Sequence, residues 1–224
     1  MRALVRDPDD TAQVFTIVEA LSGRSGERAL RRFERTAVGQ QVLAERRVLL
    51  ETLADRERLG AMPEGSLGRA YLAFLDSENI TAAGLVGASQ TGRLARSPDA
   101  DLRLLGDRMR DMHDLWHTVT GYKGDILGET SLLAFSFAQT WSAGIGLIVA
   151  VALLKSRRLP EVRGMIVDGF RRGRRAEWLP AADWEALLEL PLEAVRRRLR
   201  IGRPRPYVPV RTSDANVREM LQSI

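Results

Sequence analysis

Residues 130–154 read TSLLAFSFAQTWSAGIGLIVAVALL and contain no charged residue. About twenty apolar residues in a helix are enough to span a bilayer, so a transmembrane helix is one interpretation of this stretch. Its serines, threonines, glutamine and glycines lower its hydrophobicity and favour the other interpretation, a buried helix in a bundle. We therefore predict one long uncharged helix at the centre of the fold and keep the membrane span as the alternative.

The segments on either side of this stretch repeat apolar residues at steps of three and four, the spacing of amphipathic helices. The pattern predicts helices at residues 11–21, 38–59, 69–76, 99–119, 159–172 and 181–199. We expect Gly173 to end the fifth helix and Pro191 to divide the sixth, because glycine and proline are the poorest helix formers. No segment alternates as a strand does, so the predicted fold class is all-α.

The predicted architecture is a single-domain helical bundle over residues 1–224, with an extended or irregular tail at 202–224. A chain of 224 residues, 45% of them hydrophobic, is long enough to bury a core as one domain. The tail begins GRPRPYVP at residue 202, and its three prolines exclude a regular helix there.

Composition excludes several kinds of site. The chain has no cysteine, so it has no disulfides, iron–sulfur clusters or thiol nucleophiles, and any metal must be held by His, Asp and Glu. The first ten residues lack the apolar core of a secretory signal, and we expect a bacterial protein on the cytoplasmic side of the membrane, or a mature form. A net charge of +5 permits an anionic partner, but no helix-turn-helix or aromatic-basic signature indicates nucleic acid.

The chemistry is concentrated at residues 113–129, which read HDLWHTVTGYKGDILGE and contain both histidines of the chain. At 3.6 residues per turn, His113 and His117 project from one face of a helix and can share a metal ion. Gly121 and Gly124 allow the chain to turn, so that Glu129 can add a carboxylate. Asp114 lies beside the histidines as a further ligand or as a base.

Two imidazoles with one or two carboxylates and no sulfur suit zinc, iron or manganese, and suit magnesium less well. The alternative is a helix whose histidines make capping or core hydrogen bonds. The adjacent acids, and the absence of any other histidine, favour the metal site.

On these residues the chain resembles the coenzyme Q biosynthesis protein 4 family. The signature of that family is His-Asp-x-x-His, eleven residues and then Glu, and this sequence matches it from His113 to Glu129 at every position. The resemblance extends through residues 63–71 and 183–196, so it covers nearly the whole chain.

The resemblance implies an all-helical, dimeric protein, peripheral on the membrane face where ubiquinone is made: the inner face of the cytoplasmic membrane in bacteria, the matrix face of the inner membrane in mitochondria. It also implies a divalent ion beside a groove for a polyprenylated quinone precursor, and contacts with other ubiquinone-biosynthesis enzymes. Candidates for the wall of the groove are Phe135, Phe137, Trp141 and Ile145.

The reaction that the resemblance implies is an oxidative decarboxylation at carbon 1 of a prenylated 4-hydroxybenzoate-derived precursor. His113, His117 and Glu129 would then be metal ligands, and Asp114 a ligand or a proton acceptor. The alternative is a non-catalytic scaffold, which binds polyprenyl lipids and organises the other enzymes, with a structural metal.

Overall fold

The structure is a computed structural model that describes residues 25–81, 84 and 97–209. The α-helices of the described residues are α1 (Ser25–Phe33), α2 (Ala37–Glu45), α3 (Leu49–Ala54), α4 (Arg56–Ala61), α5 (Leu67–Ser77), α6 (Ala100–Asp111), α7 (His113–Thr120), α8 (Ile126–Thr140), α9 (Ala143–Lys155), α10 (Pro160–Arg175), α11 (Trp184–Leu187) and α12 (Leu192–Arg198). No strand occurs among these residues, where Ser66 and Pro191 form an isolated bridge. The all-α fold class is therefore confirmed.

The helices belong to two compact units. The described residues of Arg24–Gly121 and Ala176–Gly202 form the first unit, and those of Tyr122–Arg175 and Arg203–Ile224 form the second. In the first unit α1, α2 and α6 bury a cluster made of Leu30, Phe33, Val42 and Leu105.

The single domain over 1–224 stays a prediction. Residues 202–209 contain no helix or strand, and the rest of the predicted tail and the predicted helix at 11–21 lie outside the described residues.

A buried ion pair fastens α6 to α11 in the first unit. Arg108 is 1% exposed, and its two terminal nitrogens donate to the two carboxylate oxygens of Glu185, each at 2.7 Å. Burial acts to raise the pKa of Glu185, but the hydrogen bonds and charge of Arg108 outweigh it and hold that pKa below its ordinary value. Glu185 is thus a carboxylate at neutral pH.

In the second unit, glycines allow α8 and α10 to approach each other closely. A Cβ atom on Gly169 would lie 2.3 Å from the backbone oxygen of Ser131, and one on Gly173 would lie 2.5 Å from that of Phe135. The expected end of the helix at Gly173 is wrong, since α10 continues to Arg175. Contact with α8 explains the glycine, because only a residue without a side chain fits there.

The uncharged stretch forms two helices, so the prediction of one long helix is wrong. Trp141 ends α8 in the left-handed conformation, with φ 51°, and α9 begins two residues later. This conformation is unusual for a bulky residue. The rings of Phe137 and Phe170 pack against Trp141 at 5.2 and 6.1 Å, which gives the turn a packing cause.

The two halves of this stretch differ in burial. Helix α8 buries Leu132, Ala134 and Phe135, as a central helix should, whereas α9 exposes Leu147 (38%) and Leu154 (55%). Among the described residues, no helix combines the length and the hydropathy needed to cross a membrane. The buried interpretation therefore holds for α8 and only in part for α9.

Other helix boundaries also differ from those that the sequence pattern predicts. The predicted helix at 38–59 is divided into α2, α3 and α4, since Arg46 adopts φ 54° and Asp55 accepts a hydrogen bond from the backbone N–H of Arg58. The helix at 99–119 is interrupted at Met112. Pro191 divides the last helical region as predicted, and the helix predicted at 69–76 is α5.

We expect Glu185→Gln to lower the free energy of unfolding by about 3 kcal/mol at pH 7, because it leaves the buried Arg108 charge without its counter-ion. The native pKa of Glu185 is depressed, so its contribution is present above the unfolded pKa of about 4.3 and disappears as pH falls further. Denaturant titrations from pH 3 to 7 measure both effects. The control is Glu193→Gln in the pair with Arg196, where the Glu193 side chain is 47% exposed and we expect a change below about 1 kcal/mol.

We also expect Gly169→Ala to lower the free energy of unfolding by about 1–3 kcal/mol, because the new methyl group must push α10 away from the α8 backbone. Gly164→Ala in the same helix is the matched control. Its Cβ would meet only the Arg205 guanidinium at 3.8 Å, so the better helix former should keep or raise stability by up to about 1 kcal/mol. Equal effects of the two substitutions, measured by urea denaturation, would contradict the close packing.

Candidate metal centre

Helix α7 carries both histidines of the chain. His113 is its first residue, His117 lies one turn later, and their ring centroids are 4.8 Å apart. His117 is 1% exposed and belongs to the interior of the first unit, whereas the side chain of His113 is partly exposed. The imidazoles adjoin on one face, the arrangement that the four-residue spacing predicts.

The ring of His117 is held by an aromatic neighbour from α5. Phe74 stacks on it with the ring centroids 5.2 Å apart and the planes within 14° of parallel. Such packing restricts rotation of the imidazole and therefore pre-orients its nitrogens. Phe74 was not identified from the sequence, although its place in a predicted helix is the signal that could have indicated it.

Asp114 is placed against the other histidine. Its Oδ1 lies 3.1 Å from Nδ1 of His113, and its side chain is largely buried. A carboxylate that accepts from Nδ1 fixes the tautomer of an imidazole and leaves Nε2 for a metal ion. The position of Asp114 therefore suits a residue that orients the His113 ring.

Glu129 lies in the first turn of α8, and the start of that helix is firmly defined. Gly121 ends α7 in the left-handed conformation at φ 78°. Asp125 then caps α8, since its side chain accepts hydrogen bonds from the backbone N–H groups of Leu127 and Gly128. A Cβ on Gly128 would lie 2.1 Å from the backbone oxygen of Lys123, so this close turn needs glycine.

Tyr207 secures the same turn from the tail of the second unit. Its hydroxyl accepts from the backbone N–H of Lys123 and donates to Oδ2 of Asp125, both at 2.9 Å. Sequence analysis missed this residue, because nothing in a proline-rich tail indicates which distant turn its tyrosine will contact. Its effect is to tie down the cap that precedes Glu129.

Within the continuous segment 113–129, three predicted ligands come together. One ligand atom from each of His113, His117 and Glu129 lies within 4.8 Å of the others. The donors of a four-coordinate ion with bonds of about 2.1 Å lie about 3.4 Å apart, so small side-chain movements would complete the shell. Two imidazoles and one carboxylate fit zinc or a redox-active first-row metal, and leave a fourth coordination position open.

Asp114 is not part of this group of three. A second carboxyl group, that of Asp111, lies at the end of α6 near the histidines in sequence. Burial raises its pKa to about 6, against the opposing charge of Arg110.

The proposed lipid-wall residues fall into two environments in the second unit. Phe135 is fully buried in α8, where its backbone contacts Gly173. Phe137 and Ile145 pack against a cluster made of Ala134, Val149 and Ile166. Trp141 is 50% exposed, with the Arg174 guanidinium 5.5 Å from its ring centroid. As wall residues all four stay a prediction, and Trp141 is the one most open to solvent.

Comparison with known proteins places these residues in a family. Residues 1–205 match the family described as coenzyme Q (ubiquinone) biosynthesis protein Coq4. The chain is 32% identical over 204 residues to the mitochondrial ubiquinone biosynthesis protein COQ4 homolog of Bos taurus, an alignment covering 84% of this chain and 71% of the bovine protein. It is 30% identical to the mitochondrial ubiquinone biosynthesis protein coq4 of Aspergillus terreus, over 74% of this chain and 56% of the fungal protein, which is therefore considerably longer.

A solved structure shares the fold. It is a crystal structure from Nostoc punctiforme PCC 73102, described as a candidate ubiquinone biosynthesis protein. The TM-score is 0.63 at 22% identity, with 89% of this chain and 93% of that chain covered. Given the family match over residues 1–205, this chain belongs to the coenzyme Q (ubiquinone) biosynthesis protein Coq4 family.

Proposed function

We propose that this chain is a metal-dependent enzyme of ubiquinone biosynthesis, which replaces the carboxyl group at carbon 1 of a prenylated 4-hydroxybenzoate-derived precursor by a hydroxyl. The observation that carries the proposal is the meeting of His113, His117 and Glu129 within 4.8 Å. Their donor atoms suit a divalent ion, with zinc, iron and manganese ahead of magnesium.

The reaction defines what the site must do. The ring carboxyl group leaves as carbon dioxide and a hydroxyl forms at the same carbon, so the ring loses two electrons and an oxidant such as dioxygen is required. When bound, a divalent ion supplies Lewis acidity toward the carboxylate and phenol oxygens of the precursor.

Each of the proposed site residues has a separate role in this reaction. His113, His117 and Glu129 hold the ion, and Asp114 either keeps the His113 ring in place or accepts a proton from the substrate phenol. Beyond the first turn of α8, the chain is uncharged as far as Leu154, which suits the prenyl tail. Phe135, Phe137, Trp141 and Ile145 are the proposed wall for that tail.

The second candidate function is a non-catalytic scaffold that presents polyprenyl intermediates to the other enzymes of the pathway, as a homodimer. The exposed apolar residues of α9 favour the scaffold, because a scaffold needs a surface that contacts lipid or partner proteins. Its ion site can be closed, whereas an enzyme needs an open coordination position. The two functions differ in whether bound metal turns over substrate.

The membrane is the proposed partner of α9. Leu147, Leu154 and Trp141 provide exposed apolar side chains, and the helix ends at Lys155, followed by Arg157 and Arg158. Apolar residues bordered by basic ones fit a surface that is hydrocarbon beneath anionic headgroups, and each basic residue near it contributes about 1 kcal/mol. The chain would thus lie on the membrane without spanning it.

We expect protein purified without added metal to contain about one divalent ion per chain, and His117→Ala and Glu129→Ala to lose it. Elemental analysis measures the ion. Glu57→Ala is the control for Glu129→Ala, because Glu57 is an exposed acid at the start of α4.

Incubation with a prenylated 4-hydroxybenzoate under air should yield the decarboxylated, hydroxylated ring. Bound metal without turnover would instead support the scaffold, and protein that binds no metal would contradict both.

We expect the protein to float with vesicles containing anionic phospholipid and not with neutral vesicles, and added salt to weaken the association. Leu147→Glu combined with Leu154→Glu should reduce the floating fraction at least tenfold, because buried charge opposes insertion. Val208→Glu is the control, since Val208 is also an exposed aliphatic residue but lies outside α9. Equal losses for both variants would contradict the assignment of α9 as the membrane-facing surface.

A further inference from the structure

The hydroxyl of Tyr71 is buried without a hydrogen-bond partner among the described residues. Tyr71 lies in α5, is 0% exposed, and its phenolic oxygen has no partner within hydrogen-bonding distance. Buried polar groups in native proteins are nearly always hydrogen-bonded, and leaving one unsatisfied costs stability. The Tyr71 hydroxyl is therefore a donor available to a nearby acceptor.

The side of α5 that carries Tyr71 faces the histidine helix. Phe74, three residues later and hence on the same side of α5, stacks on the imidazole of His117. Burial raises the pKa of Tyr71, the carboxylates of Asp114 and Asp111 raise it further, and Arg56 opposes them. The phenol is thus a protonated donor beside acidic acceptors.

Of the two carboxylates, Asp114 is the one suited to accept this hydrogen bond. Asp111 already accepts a hydrogen bond from the backbone of Leu50. Asp114 contacts Nδ1 of His113 through Oδ1, and a carboxylate has lone pairs for several donors. Asp114 also lies three residues before His117, hence on the side of α7 that packs against α5.

We propose that in the metal-loaded protein Tyr71 donates its hydroxyl proton to the Asp114 carboxylate, directly or through one water molecule, and so acts as a positioning residue for His113. This inference rests on the proposed metal site. Tyr71 contacts the Asp114 carboxylate on one side, and Nδ1 of His113 contacts it on the other. This arrangement keeps Nε2 of His113 directed at the ion. Tyr71 itself touches neither metal nor substrate.

The test is Tyr71→Phe, which removes one buried oxygen atom that has no hydrogen-bond partner among the described residues. We expect the melting temperature of the metal-free protein to stay the same or rise. The dissociation constant for zinc, measured by competition with a chromogenic chelator, should rise about 10- to 100-fold, as when other outer partners of metal ligands are removed. The absorption bands of the cobalt-substituted protein should shift, because the orientation of His113 changes.

Two comparisons isolate the mechanism. Tyr122→Phe makes the same change at the other fully buried tyrosine of the described residues and should leave the zinc dissociation constant unchanged. In a double-mutant cycle, Tyr71→Phe should weaken zinc binding little further in the Asp114→Asn background, because Tyr71 acts through Asp114.

Unchanged zinc affinity in Tyr71→Phe, with wild type binding zinc normally, would overturn the inference and leave the proposed function intact. Additive losses in the cycle, or a lower melting temperature of the metal-free variant, would also overturn it, since they indicate an independent or purely structural role. Wild-type protein that binds no metal would defeat both the inference and the function on which it rests.

Discussion

The capping of α8 by Asp125 is the interaction on which the position of Glu129 depends. Asp125 satisfies backbone donors of the first turn, Gly128 lets the chain pass close to Lys123, and Tyr207 holds Asp125 from the tail. Carboxylates are flexible ligands, and metal sites require placement to a fraction of an ångström. A rigid first turn supplies that placement through the backbone.

The histidine helix reaches the same result by a different route. His117 is confined by burial and by the Phe74 ring, and His113 by the Asp114 carboxylate. The orientation of one imidazole is therefore set by packing and that of the other by a hydrogen bond.

The sequence was sufficient for the local features and insufficient for those set by distant contacts. Spacing alone predicted the all-α class and the adjoining histidines, because both follow from the 3.6-residue repeat. It could not predict that Trp141 would turn left-handed, since the cause is packing against Phe137 and Phe170. Gly173 was misread because a glycine that permits helix packing and a glycine that ends a helix look the same in one dimension. Tyr207 was missed because the turn that it contacts is distant in the sequence.

The apolar surface of α9 has a consequence for the behaviour of the free protein. A helix that is uncharged up to its last residue and half open to water has an affinity for any other apolar surface, including that of a second copy. Repulsion among the surrounding arginines opposes such contacts, and salt screens that repulsion. The colloidal stability of the protein should thus decline with ionic strength, the reverse of what is usual for proteins that associate through opposite charges.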